Sequence, residues 1–182
     1  PGFYPVAIFT SLDAASLVSL SPFREPLLRE LGLPLTLVGL VMGLSRFVWF
    51  GIGHSIEVLE RLLAGRRLFV FEVLFFPLMI VAAALMKHPY VVVLLLTLMI
   101  GYRYGRESLV VHRLIDRVHD DRFKATMLSV HGQITFLLDV VLILPLGFVM
   151  GVSFSTGFLV MGLFLFVSLL VTLGFIVKSE KA

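Results

Sequence analysis

The chain has 182 residues, 59% of them hydrophobic and only 15% charged, with a mean hydropathy of +1.04; a soluble domain carries about 25% charged residues, so composition points to a membrane protein. Fifteen Lys and Arg against 12 Asp and Glu leave a net charge of +3, an excess that in a membrane protein records orientation, and no nucleic-acid partner is expected. The absence of cysteine excludes a disulfide framework, thiolate metal ligands and a cysteine nucleophile.

Crossing a hydrocarbon core of about 30 Å takes roughly 20 mostly apolar residues in a helix. Six stretches approach that length: residues 3–20, 35–56, 68–86, 90–110, 126–150 and 156–177. None shows period-two alternation, which favours helices over barrel strands. The first follows no basic n-region and precedes no small-residue cleavage site, so it is predicted to span rather than to be removed. Its natural N-terminal flank is expected to be missing before Pro1. The second contains GLVMG, with Gly39 and Gly43, and the deepest cation, Arg46. The third carries Glu72, five residues past Arg67 and so expected to reach the interface. The fourth contains GYRYG, with Gly101 and Gly105, and the charged residues Arg103, Arg106 and Glu107. The fifth follows the abrupt change from charged to apolar in DDRFKATMLSV, residues 120–130; it carries His131, Gln133, Asp139 and GFVMG, with Gly147 and Gly151. The sixth has no ionisable residue.

With six spans, one side of the membrane holds Arg61, Arg66, Arg67, Arg113, Arg117, Arg122, Lys124, Lys178 and Lys181, and the other holds Arg24, Arg29 and Lys87. That asymmetry predicts both termini in the cytoplasm. Polar-bearing first and second helices followed by an apolar third, and the same order in the fourth to sixth, predict two inverted three-helix repeats in a single bundle over residues 1–182. Helices one, two, four and five would line a polar interior, with three and six facing lipid. The three glycine pairs spaced by four would let backbones approach.

Charged residues at mid-membrane mark solute and proton pathways. Asp13 and Asp139 are the candidates for proton coupling, because a carboxylate in a low-dielectric cavity can take up and release a proton. Arg46 could grip a substrate carboxylate or phosphate through its planar fork, or be neutralised by Asp13 or Asp139. Arg103 and Glu107, four apart, can pair on one helical face. His131 and Gln133 could hydrogen-bond substrate or bridge helices. His112, Asp116, His119 and Asp120 have ligand-like spacing but form no closed set with a second shell, so no metal is expected. GVSFSTG, residues 151–157, has no His paired with it, and neither enzymatic activity nor a cofactor is expected.

Three segments resemble a known family. The loop GHSIEVLERLLAGRRLFV resembles the loop signature of the major facilitator superfamily at Gly53, Glu60, Arg61, Gly65, Arg66 and Arg67, with Leu62, Leu63 and Ala64 as an insertion relative to the family's spacing. KATMLSV looks like the segment that opens that family's eleventh helix, with Lys124 in place of Arg. PFREPLLRELGLPLTLVGLVMG resembles its passage into the eighth. The resemblance implies the C-terminal six-helix half of a secondary transporter that moves a small solute by alternating access, with proton coupling as an option. The partners implied are the lipid bilayer and a missing N-terminal six-helix half, in a plasma or bacterial inner membrane. It also implies that Glu60, Arg61, Gly65, Arg66 and Arg67 act in a cytoplasmic latch. The alternative is a self-contained six-helix protein serving as a channel subunit or assembly partner.

Overall fold

A computed structural model of the chain describes residues 2–118 and 120–179, and every regular element among them is helical. The long apolar stretches form α1 (Phe3–Ser19), α3 (Leu35–His54), α5 (Arg67–Leu85), α6 (Pro89–Gly105), α8 (Lys124–Val152) and α9 (Phe154–Ser179). Short helices occupy the connectors: α2 (Arg24–Glu30), α4 (Ile56–Leu62) and α7 (Glu107–Ile115).

Among the described residues, five helical segments are long and apolar enough to cross a membrane, one fewer than the six expected: Phe3–Glu30, Leu35–His54, Arg67–Leu85, Asp121–Val152 and Phe154–Ser179. The difference lies in the predicted fourth span, residues 90–110. It breaks at Arg106, whose backbone sits at φ −88 and ψ −2, between α6 and α7. The 17 residues of α6 extend about 25 Å, short of a full hydrocarbon core. Hydropathy averaged over the stretch hides this break.

The connectors show why the apolar runs start where they do. After α2 the chain reverses at Gly32, which has φ +85; its N–H donates to the Arg29 carbonyl at 2.9 Å and that of Leu33 to Leu28 at 3.0 Å. This paired ending needs a residue that tolerates the left-handed region, and Pro34 then opens α3 in an extended conformation. At the other charged boundary, the Asp120 carboxylate accepts the Arg122 N–H at 3.0 Å, and Lys124 pairs with Asp121 at 2.6 Å. The polarity change in DDRFKATMLSV is therefore a capped helix start.

The helices pack mainly in pairs: α1 with α8, α3 with α6, and α5 with α9, while α1 and α8 also pack on α9 and α5 packs on α6. Among the candidate spans, the segment containing α1 is the most enclosed and that containing α8 the least. Its buried Ala7, Ser11, Ala14 and Ala15 let neighbouring backbones approach α1 closely. The core contains Phe9, Phe69, Phe76, Phe158, Leu165 and Leu169, and so joins α1, α5 and α9.

Only one of the three glycine pairs makes the expected close approach. A Cβ on Gly105 would lie 2.6 Å from the Ile52 side chain and 3.1 Å from the Trp49 carbonyl, and one on Gly101 would collide with Val48. Gly39, Gly43, Gly147 and Gly151 have nothing within 4 Å of such a Cβ. Gly105→Ala is expected to destabilise the fold by about 1–3 kcal/mol through overpacking. Gly39→Ala should be close to neutral. Thermal midpoints in detergent compare the two, and equal midpoints would contradict the α3–α6 contact.

Candidate functional site

The most deeply buried polar cluster unites α1, α5 and the α6–α7 break. Arg106 is 1% exposed, and Asp13 and Glu72 are fully buried. An Arg106 Nη2–H donates to Asp13 Oδ2, and its Nε lies 2.9 Å from Glu72 Oε1. Tyr102 Oη donates to the same Glu72 oxygen at 3.3 Å. The guanidinium carbon lies 5.1 Å from the Phe76 ring centroid and 5.7 Å from that of Tyr102, so aromatic faces enclose the cation.

Local structure explains the convergence. At the break, the Arg106 N–H still donates to the Tyr102 carbonyl at 3.0 Å, and its side chain reaches between α1 and α5. Asp13 lies among the small residues of α1, and Glu72 is one turn into α5 on the side that buries Phe69 and Phe76. The expectation that Glu72 would reach the interface is thus corrected: its carboxylate points into the bundle, and α5 carries charge to the centre of the fold.

Charge is unbalanced within this cluster. Two carboxylates share one guanidinium, and Asp13 Oδ1 and Glu72 Oε2 are buried without a hydrogen-bond partner. An uncompensated ion in such surroundings costs several kcal/mol. A single proton on either acid would bring the three groups to neutrality.

A second polar seam runs between α1 and α8. Thr10 Oγ1 and His131 Nε2 are 3.0 Å apart, Thr135 Oγ1 donates to Ser11 Oγ at 2.9 Å, and Ser19 Oγ donates to Asp139 Oδ1 at 2.5 Å. His131 and Asp139 therefore meet α1, whereas Gln133 is exposed. Asp139 has no cation within ion-pair distance among the described residues.

Arg46 is neutralised by neither Asp13 nor Asp139. It is exposed on α3, with its guanidinium carbon 5.1 Å from the Trp49 ring centroid and 6.0 Å from that of Tyr104. Arg103 forms the expected ion pair with Glu107 and also lies 6.0 Å from the Tyr104 ring centroid.

The loop residues fall on one end of the bundle. Glu60 and Arg61 are on α4, where Arg61 pairs loosely with Glu57 at 3.9 Å. Arg66 occupies the N-cap position of α5 and Arg67 is its first residue. Gly65 has φ +59, and its carbonyl accepts from Arg113 of α7, which also donates to the Leu63 carbonyl at 2.8 Å. Arg113→Ala is expected to free this loop: hydrogen exchange at residues 63–66 should accelerate while exchange within α5 stays protected. Unchanged exchange in the loop would remove the clamp.

Of the four residues with ligand-like spacing, His112 and Asp116 are 3.9 Å apart with exposed side chains, and His119 lies outside the described residues. No group of three His, Asp or Glu among the described residues is arranged to hold a metal ion.

Sequence reasoning placed Asp13, Arg103, His131 and Asp139 among the candidates and left Arg106, Glu72 and Tyr102 outside that set. The available signal was charge itself, since an Arg deep in an apolar stretch needs an acid. No family model matches the chain, and neither a curated protein nor a solved structure matches it. The chain is an all-helical protein whose several long apolar helices have the build of a multi-spanning membrane protein.

Proposed function

We propose that the chain is one half of a secondary active transporter that moves a small solute by alternating access, with the Asp13–Arg106–Glu72 cluster as its proton-responsive element. The observation that carries this reading is the buried cluster with one more acid than base. Ionisable groups inside a membrane bundle are costly, and those that persist serve ion, proton or solute pathways.

The helix pairing supports a 3+3 arrangement. Exchanging α1 with α6, α3 with α8, and α5 with α9 converts the α1–α8 pair into the α6–α3 pair, α1–α9 into α6–α5, and leaves α5–α9 unchanged, although the α8–α9 packing has no comparable α3–α5 counterpart among the described residues. A two-fold relation between triplets would generate the three matching pairings. Arg46 and Gln133, exposed on α3 and α8, further support a polar path or a second wall along these helices, because such groups are poorly accommodated by lipid.

The coding region upstream of Pro1 provides the test. Six further apolar spans and a second Gly-Arg-Arg-type loop are expected there. An immediate start codon, together with unsaturable ion conductance of the chain in vesicles, would instead make it a self-contained channel subunit.

A further inference from the structure

Directly beside the buried cluster lies a cleft of about 100 Å³ lined by Leu17, Ser21, Arg24, Ile100, Arg103 and Tyr104, among others. Arg24 is only 8% exposed. Its Nη2–H donates to the Leu17 carbonyl at 2.6 Å, but its Nε is buried without a partner. No carboxylate lies within ion-pair distance of Arg24 among the described residues. Arg103 brings a second guanidinium, 17% exposed, balanced by Glu107. Arg46 adds a third, its guanidinium carbon 6.0 Å from the Tyr104 ring centroid. Three cations thus lie near Tyr104, and among the described residues Glu107 is the single carboxylate within ion-pair distance of any of them.

This arrangement has the opposite charge imbalance from the Asp13–Arg106–Glu72 cluster, which lies about one helical turn away along α1 and α6. A guanidinium removed from water and left without an acid is costly, and its fork matches the geometry of carboxylate and phosphate oxygens. We propose that the Arg24–Arg103 cleft binds a small oxyanion, a phosphate or carboxylate group, and that this group belongs to the transported solute. Its identity as solute rests on the transporter reading; oxyanion binding itself does not. The small volume and the inward position of Arg24 favour a compact head group, with any remainder of the solute lying along Tyr104 and Trp49 toward Arg46.

The test uses the full chain in nanodiscs of zwitterionic phosphatidylcholine, titrated with inorganic phosphate. Trp49 is the chain's only tryptophan, and its ring centroid lies 5.8 Å from that of Tyr104, so its fluorescence reports on this face alongside calorimetry. Saturable binding is expected, weakened about tenfold by Arg24→Gln, the equivalent of about 1.4 kcal/mol. Arg103→Lys, which retains charge but loses the fork, should weaken it similarly and guards against misfolding of the Arg24 variant. Arg29→Gln, at an exposed site, should bind as the parent does.

A folded chain that fails to bind phosphate, or binds it equally well after Arg24→Gln, overturns the proposal. A parallel set of discs containing phosphatidylglycerol distinguishes the source of the anion: retention of that lipid without phosphate binding would make the cleft a headgroup site and overturn the solute assignment. Phosphate binding without transport after pairing with the second half would defeat the transporter reading while leaving the binding site intact.

Discussion

Arg106→Met is expected to destabilise the protein by about 3–5 kcal/mol, the range for removing one partner of a buried ion pair. The substitution leaves Asp13 and Glu72, both fully buried, without the cation that contacts them. Unfolding by sodium dodecyl sulfate, followed by circular dichroism, should show the loss. The triple variant Asp13→Asn, Arg106→Met, Glu72→Gln removes all three charges and should recover most of it, because amides avoid the desolvation cost of unpaired carboxylates. A single variant within about 0.5 kcal/mol of the parent, the scale of an ordinary surface substitution, would contradict the buried cluster.

Glu72→Gln should have the opposite effect on stability and the largest effect on function. It leaves the Asp13–Arg106 pair electrically balanced while preserving an oxygen that can accept from Tyr102 Oη. The fold should therefore be at least as stable as the parent. In vesicles containing the complete transporter, uphill uptake driven by a proton gradient should fall to the level of uncoupled vesicles, while downhill counterflow continues.

Comparison with Asp13→Asn and Asp139→Asn identifies which acid carries the proton. Asp13 Oδ2 accepts from Arg106, and Glu72 shares the same guanidinium, so the two acids of this cluster are separated only by comparing their variants. Asp139 contacts Ser19 and, among the described residues, no cation within ion-pair distance, so it remains a coupling candidate on the neighbouring α1–α8 seam. Gradient-driven uptake that survives all three substitutions would reject proton coupling through these residues.

Much of the helical framework was legible because apolar length is a one-dimensional property. The predicted 35–56 stretch corresponds to α3 (Leu35–His54), and 68–86 to α5 (Arg67–Leu85). The predicted 90–110 span was not, because its interruption at Arg106 serves an interaction with residues 93 and 34 positions earlier in the chain, Asp13 and Glu72. Hydropathy registers the arginine as a cost without showing where its partners lie.

The candidate site divides along the same line. Pairing of Arg103 with Glu107 was readable because residues four apart share a helical face. Arg24 was assigned only to an outer connector, since nothing local indicates that the chain folds it back against Leu17. Likewise GYRYG, GLVMG and GFVMG are equivalent as spacing patterns, yet only Gly101 and Gly105 face a neighbouring backbone closely enough to exclude a Cβ.

By itself, then, the sequence determined that the chain is helical, membrane-compatible and unusually rich in charge within its apolar segments; these properties follow from composition and nearest-neighbour geometry. Tertiary structure alone decided that Asp13, Glu72 and Arg106 form one cluster with a surplus acid, and that Arg24, Arg46 and Arg103 gather around Tyr104 with a surplus of base. Charges attract through space rather than along the chain, so their partners emerge only when packing brings distant helices together.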